Sequence, residues 1–152
     1  MTTDELRDVL GTLAADHEQW SSRVRHDADQ RVFVELESGR DDVEAWLICW
    51  MPGHDTGFHD HDVSSGAVTV LSGEVVEDRL GLDAVPPPRQ VRAGETFTFG
   101  PTDIHRVRHA GNEPAVTLHV YHPPLRRMGT YRVESGALER HPVGKDVELK
   151  AA

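Results

Sequence analysis

The chain has 152 residues, 38% of them hydrophobic and 28% charged, which fits one soluble globular domain and argues against disorder. With 26 acidic against 16 basic side chains, its formal net charge is −10. Nucleic acid and anionic membranes are therefore disfavoured as partners, because both carry negative charge themselves.

The N-terminal residues predict a helical segment. Apolar side chains recur at helical spacing over residues 3–20, and Thr2 followed by Glu5 has the pattern of a capping box. The start lacks the basic-then-apolar layout of a signal peptide, and no apolar run approaches the ~20 residues of a membrane span. We therefore expect a cytoplasmic protein with no membrane partner.

From about residue 31 the pattern changes to short strands separated by turns. Strands are predicted at 32–36, 43–51, 67–71, 74–80, 90–92, 96–99, 105–109 and 116–122. A Pro-rich connector is predicted at 81–89, a hairpin turn at 111–114 and a partly loose tail after Tyr131. Short strands with regular turn signals are typical of an all-β sandwich or barrel.

One domain is expected, with three parts along the chain. These are an N-terminal helical segment packed on the barrel (1–28), the barrel itself (29–135) and a C-terminal tail (136–152). Cys49 is the only cysteine, so no intramolecular disulfide can form, and its apolar neighbours predict a buried thiol.

Three of the ten histidines have the spacing of metal ligands. His59 and His61 flank Asp60, and residues i and i+2 of a strand project from one face about 6.6–7 Å apart. His105 opens a later predicted strand and can supply a third nitrogen. We predict that His59, His61 and His105 bind one metal ion. Imidazole ligands suit several transition metals, so these residues alone do not select one.

This histidine pattern resembles the cupin family. Gly53, the His59–His61 pair and Gly73 follow its first motif, but the position of the motif's Glu holds Ser65 or Gly66. The resemblance implies a jelly-roll β-barrel. Without the Glu, three neutral imidazoles would leave an Fe(II) ion with open positions and a double positive charge that attracts a thiolate.

Residues 43–125 resemble, more narrowly, the cysteine dioxygenase family of thiol dioxygenases. The similarity is carried by three segments, at 49–61, 105–107 and 113–124. These cupins use a three-histidine Fe(II) to turn a thiol into a sulfinate with dioxygen. The resemblance implies Fe(II) as cofactor, and a small thiol and O2 as partners. It also implies a cis His122–Pro123 bond and no tyrosine cross-link, since Gly66 stands where mammalian members have the cross-linked cysteine.

Thr117, His119 and Tyr121 occupy the positions of that family's Ser-His-Tyr triad. Alternate residues share one face of a strand, so these side chains can form a hydrogen-bonded relay. The resemblance implies that Tyr121 directs its hydroxyl at the bound thiolate and oxygen, with His119 orienting it. The alternative is a core tyrosine and a histidine satisfied by its neighbours.

The residue that would bind a substrate carboxylate is open at this stage. A gapless alignment places Phe33 where cysteine-specific members have an arginine, with Arg31 two residues earlier. A small gap would bring Arg31 or Arg40 into the pocket, whereas related mercaptopropionate enzymes take the arginine from the loop that holds Arg126 and Arg127 here. Otherwise Phe33 packs against a bulkier thiol, and each arginine is a solvated surface cation.

The predicted function is a non-haem Fe(II) thiol dioxygenase acting on cysteine or a related thiol such as 3-mercaptopropionate. Two alternatives stay open: a cupin enzyme with a non-thiol substrate, and a non-enzymatic cupin that binds a metal or small molecule. A monomer or homodimer is expected. His54 and His109 are candidates for contacts behind the metal ligands.

Overall fold

A computed structural model describes residues 1–81 and 83–145. Residue 82, in the predicted connector, and residues 146–152, in the predicted tail, lie outside the described residues. The helices are α1 (Thr3–Ala15), α2 (His17–Trp20) and a 3₁₀ helix (Ser21–Arg23). The strands are β1 (Val32–Leu36), β2 (Glu44–Trp50), β3 (His59–Asp60), β4 (Ser65–Ser72), β5 (Glu74–Leu80), β6 (Arg89–Arg92), β7 (Thr96–Phe99), β8 (Ile104–Ala110), β9 (Ala115–His122), β10 (Arg127–Glu134) and β11 (Ala137–Gly144).

The predicted capping box is present at the start of α1. The Glu5 amide donates to Thr2 Oγ1 at 3.1 Å, and the Thr2 amide donates to Glu5 Oε2 at 2.6 Å. The single helix predicted over residues 3–20 is wrong, because the backbone breaks at Asp16 and α2 follows. Trp20 still contacts α1, because its indole N–H donates to the Ala14 carbonyl at the helix end, 3.2 Å away.

The strands form two antiparallel sheets that face each other. The five-stranded sheet has the order β1-β2-β9-β4-β7, and the six-stranded sheet has the order β11-β10-β3-β8-β5-β6. The space between them holds the barrel core, whose buried apolar side chains come from both sheets; it includes Trp50, Val68, Val75, Phe97, Phe99, Val107 and Met128. This is the predicted all-β jelly-roll barrel with a short N-terminal helical segment.

Helix α1 covers the outer face of the five-stranded sheet. Leu6, Leu10 and Leu13 of α1 are buried there with apolar residues of the sheet such as Leu47 and Leu118, in a second core. No helix within residues 1–81 and 83–145 has both the length and the apolar character needed to cross a membrane.

The partly loose tail predicted after Tyr131 is wrong over residues 131–144, where the chain forms most of a β-hairpin. Strands β10 and β11 pair along their whole length, from Arg127↔Gly144 to Glu134↔Ala137. Ser135 and Gly136 form the turn, both with positive φ (50° and 78°). Pro142 made the segment read as a non-strand, but β11 is an edge strand, where a missing N–H costs no ladder bond.

Candidate metal centre

The three predicted metal ligands meet inside the barrel. His59 on β3 lies directly opposite His105 on β8, and His61 follows β3 by one residue. The side chains are buried, and one ligand atom from each lies within 4.8 Å of the others. Their ring centroids are 4.7–5.0 Å apart. The alternation of β3 and the β3–β8 pairing therefore produce the cluster.

Two of the three rings are oriented by a hydrogen bond at Nδ1. His59 Nδ1–H donates to the Gly57 carbonyl at 3.0 Å, and His105 Nδ1–H donates to Glu77 Oε2 at 2.8 Å. With Nδ1 of each ring bonded in this way, Nε2 is the nitrogen left to serve as a metal ligand. His61 instead stacks on Phe99 with ring centroids 4.1 Å apart.

The electrostatics of the cluster suit a cation. Burial, followed by the charge of His105, holds the pKa of His59 well below its ordinary value, and burial with the neighbouring histidines does the same for His61. Both rings are therefore neutral at pH 7, the form that binds metal. His61 Nδ1 is buried and makes no hydrogen bond to any described residue. Three imidazoles whose ligand atoms lie this close together fit a divalent transition metal, and imidazole by itself does not select which one.

Glu77 is a functional residue that the sequence analysis missed. It is 2% exposed on β5, where it accepts from His105 and lies 3.2 Å from Arg79 Nε. Val75, two residues earlier, belongs to the barrel core, so Glu77 occupies a core-facing position. An acidic residue at an inward position of a predicted strand was the available signal.

The triad predicted on β9 forms a continuous hydrogen-bonded chain. Thr117 Oγ1 and His119 Nε2 are 2.6 Å apart, and His119 Nδ1 and the Tyr121 hydroxyl are 3.2 Å apart. The chain extends to Trp50, whose indole N–H donates to Thr117 Oγ1 at 2.8 Å. Burial, and then the charges of Arg31 and His105, lower the pKa of His119 to about 3. His119 is thus neutral at pH 7 and carries one ring proton.

A narrow cavity of about 30 Å³ joins the triad to the histidine cluster. Its lining is mostly apolar and aromatic, with a polar end; the residues are Arg31, Ile48, Thr56, His59, His61, Val68, Phe99, His105, Val107, His119, Tyr121 and Met128. Arg31 is the one permanently charged side chain among the described residues of this lining. The lining therefore carries a net positive charge.

Of the candidates for substrate binding, Arg31 is the one that lines the cavity. It is 5% exposed, and its Cζ lies 5.0 Å from the centroid of the Phe33 ring and 5.2 Å from that of Trp50. Phe33 lies beneath the guanidinium and not in the lining. Arg126 and Arg127 are exposed, and exposed Arg40 pairs with Asp42 at 2.9 Å.

His54 and His109 make backbone contacts rather than contacts to the metal ligands. His54 Nδ1 accepts from the Met51 amide at 3.0 Å and its Nε2–H donates to the Ala28 carbonyl at 3.1 Å, which holds two loops together. His109 Nε2 lies 2.6 Å from the Glu113 carbonyl in a hairpin turn. Both histidines have a structural explanation that does not involve the cluster.

One expectation from the resemblance, a cis peptide bond, agrees with the structure. The His122–Pro123 peptide bond is cis. Gly66 lies opposite Tyr121 in the β4–β9 ladder, and a Cβ there would overlap the ring of Phe99. Phe99 therefore occupies the space that a side chain at position 66 would need.

Known proteins share this fold. A protein of Klebsiella pneumoniae with a double-stranded β-helix domain superposes with a TM-score of 0.57 at 24% identity, covering 68% of this chain and 80% of that one. The likeness extends the jelly-roll assignment to the cupin fold, which is the double-stranded β-helix.

Sequence relatives and a family match define the group. Cysteine dioxygenase type 1 of Danio rerio is 23% identical over 146 residues, covering 90% of this chain and 73% of the relative. The Homo sapiens enzyme of the same name is 23% identical over 134 residues, covering 82% and 67%. The sequence model of the family described as cysteine dioxygenase type I matches residues 1–134. With its three-histidine cluster in a cupin barrel, the chain belongs to the cysteine dioxygenase type I family.

Proposed function

We propose that this protein is a non-haem Fe(II) dioxygenase that converts a small carboxylate-bearing thiol, such as cysteine or 3-mercaptopropionate, to its sulfinate with O2. The observation that carries the proposal is one cavity lined by the three clustered histidines, a buried arginine and a tyrosine at the end of a hydrogen-bonded chain. Bound by His59, His61 and His105, Fe(II) would favour the thiolate form of the substrate and bring dioxygen next to its sulfur.

Arg31 is the proposed partner of the substrate carboxylate. A guanidinium presents a planar pair of N–H donors that matches a carboxylate, which phenylalanine cannot replace. The rings of Phe33 and Trp50, each about 5 Å from its Cζ, hold the group at the cavity wall. Phe33 does not line the cavity, which argues against the bulkier thiol considered for it.

The triad is proposed to fix which way the Tyr121 hydroxyl points. Thr117 Oγ1 accepts from Trp50 and lies 2.6 Å from His119 Nε2, against 3.5 Å from the Ile48 carbonyl, and we assign its hydrogen to the shorter contact. The single proton of neutral His119 is then on Nδ1, which donates to the Tyr121 oxygen. With its oxygen accepting from His119, the Tyr121 hydroxyl is proposed to donate its own hydrogen to the substrate's sulfur or to the oxygen added to it.

Oxygen uptake by the Fe(II)-loaded protein tests the proposal. Cysteine, 3-mercaptopropionate, cysteamine and a larger aromatic thiol are compared, with the sulfinate identified by mass and both its oxygens traced with ¹⁸O₂. We expect turnover of cysteine or 3-mercaptopropionate, and weaker use of cysteamine, which lacks the carboxylate. Thiol binding without oxygen uptake would instead indicate a binding protein, and uptake only with a non-thiol would indicate another cupin enzyme.

Substitutions test the two roles separately. Arg31→Met is expected to raise KM for the carboxylate thiols about 10–100-fold, the effect of a lost charge-assisted hydrogen bond, and to leave cysteamine unchanged. Arg127→Met, an exposed residue, is the matched control; a KM effect there and not at Arg31 would reverse the assignment. Tyr121→Phe is expected to lower kcat with iron retained, and full activity in that variant would remove Tyr121 from the mechanism.

A further inference from the structure

Strand β3 is only two residues long; it carries His59 and is followed directly by His61. It pairs with β8 at His59↔His105 and with β10 at Gly129↔Asp60 and Thr130↔His59. The ladders that join β3 to β8 and to β10 are therefore only one and two residue pairs long. Since successive side chains of a strand face opposite ways, Asp60 projects away from the two ligands that flank it.

The Asp60 carboxylate is held by five hydrogen bonds behind the ligand pair. It is 6% exposed and accepts from two amides, of Asp62 at 3.0 Å and Gly129 at 3.1 Å. The Tyr131 hydroxyl donates at 2.5 Å, and Arg140 donates through Nε at 2.8 Å and Nη2 at 2.9 Å. The bidentate guanidinium is the strongest of these contacts, because both groups are charged.

The hairpin is shaped to admit this guanidinium. A Cβ at Gly129 would overlap both the Arg140 guanidinium and Asp60 Oδ2, so only glycine leaves room for the pair. Arg140 lies on β11, beyond residues 1–134 that the family model matches. The contact therefore belongs to this chain's own C-terminal hairpin.

The hairpin has a second, independent anchor. Lys145 Nζ lies 2.8 Å from Glu44 Oε2 at the start of β2, and Val143 packs against the barrel core. Removing Arg140 therefore leaves the hairpin attached to the barrel, so the two anchors can be tested one at a time.

We propose that Arg140 is a positioning residue for the metal centre, which through its bidentate pair with Asp60 fixes the spacing and direction of His59 and His61. The inference rests on the proposed function, since it takes those histidines as metal ligands. A ligand pair that starts on a two-residue strand and ends just after it needs support from outside the ladder, because metal affinity falls when ligands are not held in the binding geometry.

Equilibrium binding of Fe(II) under anaerobic conditions, measured by competition with a chelator, tests the role without relying on activity. Arg140→Met is expected to weaken Fe(II) binding about 10–100-fold, as expected for the loss of a group that orients metal ligands. Arg140→Lys keeps the charge but not the paired donors and should fall between this variant and the wild type. Lys145→Met, which breaks the other anchor of the same hairpin, should bind Fe(II) within about twofold of the wild type.

The outcomes separate the inference from the function it rests on. Wild-type affinity in Arg140→Met overturns the positioning role. An equal loss in Lys145→Met also overturns it, because general loosening of the hairpin from the barrel would then explain both losses. If the wild type binds no stoichiometric Fe(II), the metal centre fails and this role with it. If circular dichroism shows Arg140→Met unfolded, Tyr131→Phe removes one donor to Asp60, and undiminished binding in that variant overturns the role.

Discussion

The two faces of β9, in the five-stranded sheet, carry side chains of opposite character. On the outer face Leu118 and Val120 of β9 pack with Leu6 and Leu10 of α1, and that cluster is apolar throughout. On the inner face the alternate residues of the same strand form the triad, each polar atom with a partner. Burying polar groups costs free energy unless they are hydrogen-bonded. The polar residues of the inner face therefore stabilise the fold less than apolar residues would, but they supply the chemistry of the site. One strand serves both purposes because its successive side chains point to opposite faces of the sheet.

The largest effect is expected where the inner core loses a metal ligand. His61→Ala should reduce Fe(II) affinity by far more than the about 10–100-fold attributed to residues that only orient ligands, because a nitrogen is removed from the ion itself. Chelator competition measures the affinity, and thermal unfolding of the metal-free protein shows whether the fold survives. Retention of tight Fe(II) binding in this variant would mean that the ion is not bound by the predicted trio.

A substitution in the outer core should lower stability and leave Fe(II) affinity nearly unchanged. Leu118 is 1% exposed, so Leu118→Ala is expected to lower the free energy of unfolding by about 2–5 kcal/mol. Fe(II) affinity should stay within about twofold of wild type, because the inner face of β9 is unchanged. Denaturant unfolding and chelator competition measure the two quantities. A loss of Fe(II) affinity in this variant would show that the two faces are coupled and would break the comparison.

The inner face was predictable where chemistry follows local spacing. The His59–His61 pair is visible because strand alternation puts i and i+2 on one face, whereas the triad and the cupin assignment came from the family resemblance. An all-β sandwich or barrel and the N-terminal helix followed from turn signals and apolar periodicity. Arg31 was left open because a gapless alignment compares backbone positions, whereas its long side chain reaches the cavity across Phe33.

The contacts that support the site were beyond the sequence analysis because they join distant segments. Glu77 meets His105 across 28 positions, and Arg140 meets Asp60 across 80. Charge and polarity alone made each of these residues a candidate for the solvated surface. The β10–β11 hairpin was hidden for a similar reason, since Pro142 argues against a strand until its place at a sheet edge is known.

The buried histidine of the triad makes the stability of the protein depend on pH. His119 has a folded-state pKa of about 3, against 6.5 for an ordinary histidine, owing to burial and the charges of Arg31 and His105. As pH falls below about 6.5, His119 binds a proton in the unfolded chain but stays neutral in the folded protein. Acidification therefore lowers the free energy of unfolding. Between about pH 7.5 and 5 this amounts to about 2 kcal/mol.

His119→Gln tests that sign by removing the group. Denaturant unfolding of the chelator-treated proteins at both pH values should show the variant losing about 2 kcal/mol less than the wild type on acidification. Leu118→Ala, from the outer face, is the control and should keep the wild-type pH dependence despite its lower stability. Equal slopes for wild type and His119→Gln would show that His119 takes up its proton at an ordinary pKa in the folded state.

The smallest effect is expected from Glu77, which touches the site only through His105. Glu77→Gln keeps an oxygen that can accept from His105 Nδ1–H but removes the negative charge, so Fe(II) affinity should fall about tenfold, the low end for groups that orient a ligand. Glu74→Gln, on the same strand and 3.7 Å from Arg92, is the matched control and should leave affinity unchanged. Unchanged affinity in Glu77→Gln would assign the orientation of His105 to the rings of Phe97 and Phe99, whose centroids lie 6.1 and 4.8 Å from its own. The inner core would then hold its ligand by packing alone, as the outer core holds α1.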